Sequence, residues 1–198
     1  MERFRFSVGM LLVMVAVLIC IPPGVAKAHM VHGQTPMDHG VMKEEKENGQ
    51  DLEQLFLSMM IPHHRGAVEM SRYILGVAHD ERVIAWAKAI IAAQEREMAL
   101  MERWLSERGG ADEKTWQAME AEMAEMMDLL RGAEDSERAF VEHMIPHHLE
   151  AVGAALAVLE KTKDRDLLLL ARDIITTQVE EVVQFRIWLL GRDTHSEH

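Results

Sequence analysis

The sequence predicts an all-α protein, a four-helix bundle made of two repeated helix pairs with an extra Met-rich helix between them. Three observations lead to this fold class: an internal repeat, apolar residues at helical spacing over long segments, and almost no alternating pattern typical of strands. Ala, Glu, Leu, Met, Arg and Lys dominate these segments, and all are good helix formers.

The internal repeat is clearest around a Met-Ile-Pro-His-His motif. FLSMMIPHHRGAVEMSRYIL at 56–75 and FVEHMIPHHLEAVGAALAVL at 140–159 share nine of twenty residues in register. The same offset later aligns Trp104 with Trp188. Shared spacing over this length indicates a structural duplication, with repeat units at 51–108 and 135–191 inside one bundle domain, 51–191.

Apolar periodicity divides each repeat unit into two helices. A further helix is expected between the units, where four Met residues share one face. Prolines 62 and 146 indicate either a kink or a helix that begins at the proline, and we favour a kink. The expected helices are 51–78, 80–108, 113–130, 135–161 and 165–191, and the four Met residues are Met119, Met123, Met126 and Met127.

The N-terminus has the pattern of a secretory signal peptide, expected at 1–28. Arg3 and Arg5 precede an apolar run at 8–21, and Ala26-Lys27-Ala28 resembles a cleavage site. The run is shorter than the roughly 20 residues of a spanning helix, although an uncleaved anchor is the alternative. Because Cys20 lies in this segment, the exported chain has no cysteine, and any soft metal ligand must be methionine sulfur.

The segment 29–50 has no apolar periodicity and is expected to be a disordered tail; a short tail is also expected at 192–198. Thioether and imidazole groups in such a segment can capture a soft ion without a preformed site. An ordinary linker is the alternative. The candidate ligands of the tail are His29, Met30, His32, Met37, His39 and Met42.

The net charge of −12 bears on the class of partner. Nucleic-acid binding needs basic patches, so nucleic acid is not expected as a partner, nor is an anionic membrane surface once the signal is cleaved. An acidic chain is compatible with cations, although a solubilising surface explains most of this charge. Nothing in the sequence predicts an oligomeric state.

Each motif places sulfur and imidazole groups four residues apart, on one face of a helix. In the first repeat Met60 shares a face with His64, and Met59 shares a face with His63. We interpret these groups as metal ligands. The alternative is structural: the rings could bond backbone groups freed by the prolines or the polar side chains of the second helices. The corresponding pairs of the second repeat are Met144 with His148 and His143 with His147.

The second helix of each repeat offers a facing set of residues. The first repeat has Gln94, Glu97, Met98 and Met101, whereas the second has Gln178, Glu181, Val182 and Phe185. Because the sulfurs are lost in the second set, we expect soft metal to bind better at the first repeat. Met98 and Met101 as core filler is the alternative.

The stretch MMIPHHRGAVEM, the following AxxIIxxQxxEMxxMxxWL pattern and the second MIPHHxxAV motif resemble the DUF305 family (domain of unknown function 305) over about residues 51–190. The resemblance implies a ferritin-like helical bundle in an exported protein, and a link to copper handling. The residues of this sequence that match the family motif are Met60, His63, His64, Gln94, Glu97, Met98 and Met101 in the first half, and Met144, His147 and His148 in the second.

Together these observations predict an exported, periplasmic or extracellular copper-binding protein that acts as buffer, carrier or tolerance factor. It is not expected to be an enzyme, Cu(I) is the favoured ion, and a copper-transfer protein is the candidate partner. One alternative is a ferritin-like di-metal oxidase, although no Glu-x-x-His motif occurs. The other is a helical interaction or stress protein with structural histidines.

Overall fold

Five α-helices make up nearly all of the described chain, and the prediction of an all-α fold is confirmed. The structure is a computed structural model that describes the backbone of residues 39–193 and the side chains of residues 52–193. No strand occurs in that part. The helices are α1 (His39–Leu75), α2 (Glu81–Glu107), α3 (Glu113–Arg131), α4 (Ser136–Lys161) and α5 (Arg165–Asp193).

An aspartate directly precedes four helices, α2 to α5, which explains why their starts were close to prediction. The carboxylates of Asp80, Asp112 and Asp135 accept hydrogen bonds from backbone N–H groups in the first turns of α2, α3 and α4. At α5, the Asp164 carboxylate accepts hydrogen bonds from the N–H groups of Asp166 and Leu167. Such a cap satisfies a donor that the helix itself leaves unpaired. After α2, Gly109 and Gly110 have φ values of 91° and 94°, a left-handed conformation that glycine adopts without strain.

The structure corrects the expected start of α1. This helix begins at His39 rather than at residue 51, so the segment 39–50 of the expected disordered tail is helical. The local cause is a run of Lys and Glu at 43–47, residues with high helix propensity that extend a helix already fixed by packing. The expected signal peptide, the rest of the tail at 29–38 and the segment 194–198 lie outside the described residues.

Both prolines of the repeated motif lie inside uninterrupted helices. Pro62 is internal to α1 and Pro146 is internal to α4, so neither residue begins a new helix. The adjacent histidines therefore follow the spacing of a continuous helix in both repeats.

The four long helices pack as two pairs, α1 with α2 and α4 with α5, and the pairs meet where α1 packs on α4. Two apolar cores result, each with residues from both repeats. The Trp188 core contains Ala67, Met70, Ile74, Val83, Ala87, Ile90, Met127, Leu130, Phe140, Val141, Met144, Phe185, Trp188 and Leu189. The Leu57 core contains Phe56, Leu57, Met60, Ile61, Met101, Leu105, Ala151, Ala155, Val158, Leu167, Leu170, Ala171 and Ile174.

The Met-rich helix α3 packs mainly on α1 and also touches α4. Met119, Met123 and Met127 are buried, and Met126 packs against the Trp188 core. The close approach of α3 depends on Gly66 of α1, where an added Cβ would lie 2.5 Å from the Met123 sulfur. These methionine side chains therefore fill the contact between α3 and the rest of the bundle.

No helix within residues 39–193 combines the length and apolar character needed to cross a membrane.

Candidate functional site

Four histidines form a buried layer between the two apolar cores. His63 and His64 come from the middle of α1, and His147 and His148 come from the equivalent turn of α4. All four side chains are completely buried. The Leu57 core uses the first half of α1 and the second half of α4, and the Trp188 core uses the other halves. The histidine layer therefore lies midway along the bundle, between the two cores.

The inner pair of this layer stacks across the contact between α1 and α4. The ring centroids of His63 and His147 are 3.6 Å apart with an interplanar angle of 29°. His147 Nε2 lies 3.1 Å from the backbone oxygen of His63, a contact in which the ring N–H donates. Equivalent residues of the two repeats thus face each other, which indicates an approximate twofold relation at this point.

The outer pair of the layer faces carboxylates on the second helices. His64 Nε2 lies 2.7 Å from Glu97 Oε2 on α2. His148 Nε2 lies 2.8 Å from Glu181 Oε2 on α5, although this second contact is poorly aligned for a hydrogen bond. These contacts match the structural alternative for His64 and His148, because a carboxylate fixes the orientation of each ring.

The inner histidines lack such partners. Neither ring nitrogen of His63 has a hydrogen-bond partner in the described structure, and the same holds for Nδ1 of the other three rings. Burial lowers the pKa of His63 well below its ordinary value, and the neighbouring imidazoles lower it further. Burial and the nearby His148 lower the pKa of His147 in the same way. Both rings are therefore neutral at pH 7, the form in which imidazole binds metals.

Glu150 is a member of the site that sequence reasoning missed. Its Oε2 lies 3.7 Å from His63 Nε2, and it follows His147 by three residues on the same face of α4. Burial raises the pKa of Glu150 to about 7, with a smaller contribution from Glu122 on α3. The spacing from His147 was the available signal, but only the packing of α4 on α1 brings this carboxyl to His63.

The predicted methionine ligands divide between the two cores. Met60 and Met101 are buried in the Leu57 core, and Met59 and Met98 pack against that core. Met144 lies instead in the Trp188 core. The methionines of the first repeat thus lie on one side of the histidine layer, and the methionine of the second repeat lies on the other side.

The remaining predicted ligands are less defined. His143 is half-buried on α4, and its Nδ1 has no hydrogen-bond partner among the described groups. The backbone of His39 and Met42 lies in α1. The other tail residues, His29, Met30, His32 and Met37, lie outside the described residues.

Within residues 52–193, no three His, Cys, Asp or Glu side chains are grouped so that they could hold one metal ion. A metal site in this part of the chain therefore has to include thioether, amide or backbone ligands, or a rearrangement of side chains.

Comparison with known proteins assigns a family. The chain matches the family described as Domain of unknown function (DUF305) over residues 22–105 and over residues 53–189. It belongs to this family. The resemblance seen in the sequence is thereby confirmed, whereas no curated protein matches the chain.

Solved structures similar to this DUF305 chain include CopM in the Cu(I)-bound form, with 30% identity and a TM-score of 0.61. The match covers 70% of this chain and 96% of that chain. CopM in Ag-bound and Cu(II)-bound forms has the same identity and coverage, with TM-scores of 0.60.

Two further structures come from DUF305 proteins with known sources. A fragment from Deinococcus radiodurans is 29% identical with a TM-score of 0.57, covering 71% of this chain and 96% of that chain. A candidate secreted protein from Streptomyces coelicolor is 25% identical with a TM-score of 0.60, covering 72% and 94%.

Proposed function

We propose that this protein is an exported copper-binding protein that acts as a buffer, carrier or tolerance factor and does not turn over a substrate. The observation that carries the proposal is its similarity, over nearly the whole length of CopM, to a protein with Cu(I)-bound, Cu(II)-bound and Ag-bound forms. Periplasmic or extracellular location and a copper-transfer partner are further parts of this proposal.

The donor groups of the bundle suit the same ion. Thioether sulfur selects Cu(I), and imidazole binds both copper oxidation states. The inner histidines are neutral, buried and rich in unpartnered nitrogens. We therefore assign the tighter copper site to the histidine layer, centred on His63 and His147, with sulfur from the adjacent methionines.

The two repeats are expected to contribute unequally. Met60 and Met101 are fully buried in the Leu57 core next to the layer, whereas Val182 and Phe185 stand in the second repeat where the first has Met98 and Met101. Loss of sulfur lowers the preference for Cu(I), so the first repeat is expected to supply more of the thioether ligands than the second, which keeps Met144.

The deciding experiment is an anaerobic Cu(I) titration of His29–His198 against a chromogenic chelator. The proposal predicts that the protein competes for Cu(I), that Ag(I) displaces the ion and that Zn(II) does not. A protein that takes no Cu(I) from the chelator overturns the proposed function.

Two variants locate the ions. Removing residues 29–42 should lower the stoichiometry and keep the tight class, because the bundle side chains remain. Replacing His63 and His147 by Gln should abolish the tight class. His79→Gln, on an exposed residue outside the layer, is the matched control, and circular dichroism checks that each variant is folded. Parent-like titrations of both site variants would show that the assigned ligands are wrong.

A further inference from the structure

A small cavity of about 10 Å³ is lined by residues of α2 and α5, among them the two glutamates that contact the outer histidines. A space of this size holds one water molecule or one ion, and it is too small for an organic ligand. Six of the seven lining residues form three pairs at the offset of the duplication, and Ile90 is the seventh. The lining residues are Ile90, Ala93, Gln94, Glu97, Thr177, Gln178 and Glu181.

Two glutamine oxygens at this cavity have no donor. Gln94 and Gln178 are each only 2% exposed. The Oε1 atom of each has no hydrogen-bond partner in the described structure. A buried hydrogen-bond acceptor without a partner is unfavourable. Two equivalent acceptors at the same cavity indicate that a hydrogen-bond donor or a cation belongs between them.

Two carboxylates line the same cavity. Glu97 and Glu181 each direct one oxygen at an outer histidine. Their side chains are 16% and 12% exposed, so both carboxylates are partly open to solvent. A single water has two hydrogens, enough for the amide oxygens alone, and brings no charge to the carboxylates. A cation satisfies both kinds of oxygen.

We propose that this cavity binds a hard divalent cation through Gln94, Gln178, Glu97 and Glu181, separately from the copper site. Carboxylate and glutamine oxygens are ligands of Ca²⁺ and Mn²⁺, and no sulfur lines the cavity. Only two carboxylates face it, so the amide oxygens are needed to complete the ligand set. The site does not depend on the proposed copper function.

The test is a titration of copper-free His29–His198 with Mn²⁺. Electron paramagnetic resonance measures the bound Mn²⁺, and Ca²⁺ is then added as competitor. We expect one bound Mn²⁺ per chain that Ca²⁺ displaces. The double variant Gln94→Leu/Gln178→Leu should weaken Mn²⁺ binding at least about tenfold. Gln117→Leu, at an exposed glutamine of α3, is the matched control and should bind like the parent.

A second double variant guards against a loss caused by misfolding. Gln94→Glu/Gln178→Glu adds two carboxylates, so its melting temperature should fall without divalent ions and rise more than that of the parent when Mn²⁺ is added. Absence of Mn²⁺ binding to the parent, or melting of this variant that Mn²⁺ does not change, would mean a water pocket and overturn the proposal. Parallel Cu(I) titrations keep the two sites distinguishable, because the leucine variant should retain its Cu(I) site.

Discussion

In each repeat, the two adjacent histidines of one helix lie in different environments. Neighbouring residues of an α-helix point about 100° apart. His63 and His147 therefore meet at the contact between the helix pairs, while His64 and His148 turn toward carboxylates on the second helices. The vicinal pair thus provides one ring with free nitrogens and one ring held in place, which a single histidine could not provide.

Glu150 allows a prediction of pH dependence. Because its pKa is raised from 4.5 to about 7 in the folded protein, the folded state keeps a proton that the unfolded state releases between these values. Stability should therefore fall as pH rises through this window, and Glu150→Gln should remove that part of the fall. Urea unfolding of parent and variant between about pH 4 and pH 8 measures it. If the free energy of unfolding of both proteins falls equally with pH, the prediction is contradicted. Glu125→Gln, at an exposed residue of α3, is the control.

Gly66 allows a prediction about packing. A methyl group there would lie 2.5 Å from Met123 Sδ and 2.8 Å from Met123 Cβ, so Gly66→Ala should destabilise the protein by about 1–3 kcal/mol. The matched control is Gly153→Ala on α4, where nothing lies within 4 Å. That change should stabilise by about 0.5–1 kcal/mol, the helix preference for Ala over Gly. Thermal and urea unfolding give both values, and equal effects of the two changes would refute the packing argument.

At the scale of elements, the start of α2 also holds the end of α5. Asp80 caps α2 through the Arg82 N–H at 2.8 Å, and its other oxygen accepts a hydrogen bond from Trp188 Nε1 at 2.9 Å. Nearby, Trp86 Nε1 donates to Gln184 Oε1 at 2.8 Å. Hydrogen bonds from two indoles thus join the second helices of the repeats at the edge of the Trp188 core.

The double role of Asp80 predicts a larger loss than capping alone gives. Asp80→Ala should cost about 1 kcal/mol for the cap and a further 0.5–1.5 kcal/mol, roughly, for the Trp188 hydrogen bond. The ion pair of Asp80 with the exposed Arg82 side chain adds little to this loss. Asp112→Ala, which removes the cap of α3 at Thr115, should cost about 1 kcal/mol. The free energy of unfolding in urea compares them. If both changes cost the same, the Trp188 contact contributes nothing measurable.

At the scale of the whole molecule, both apolar cores cross the boundary between the repeats. The Leu57 core joins Met60 and Met101 of the first repeat to Val158 and Ile174 of the second, and the Trp188 core is mixed in the same way. Neither repeat holds a complete core. The described bundle should therefore unfold as one cooperative unit.

This mixing predicts the behaviour of separated halves. Fragments 39–131 and 132–193 should each lack a cooperative thermal transition, because each exposes its part of both cores. Mixing them should restore helicity and a single transition whose midpoint rises with concentration. Circular dichroism measures both effects. A fragment that folds cooperatively by itself would contradict the interdependence of the repeats.

Sequence patterns predicted the helices well because caps and periodicity are local signals. They also singled out the four histidines as candidate ligands, and Glu97 and Glu181, which the structure places against His64 and His148. They could not predict the stacking of His63 on His147 or the approach of Glu150, since these depend on how α4 packs on α1. They also could not predict the cavity between the glutamines, which depends on the placement of α2 relative to α5. They also misplaced the start of α1, where composition without apolar periodicity suggested disorder although the residues favour helix.

The face-to-face meeting of equivalent histidines has a consequence for dilute conditions. A chain with only one helix pair could complete this layer only by meeting a second molecule, so its assembly would weaken on dilution. Joining both copies in one polypeptide makes that encounter intramolecular, at an effective concentration that does not change with the surroundings. The layer between α1 and α4 then persists when the protein is scarce.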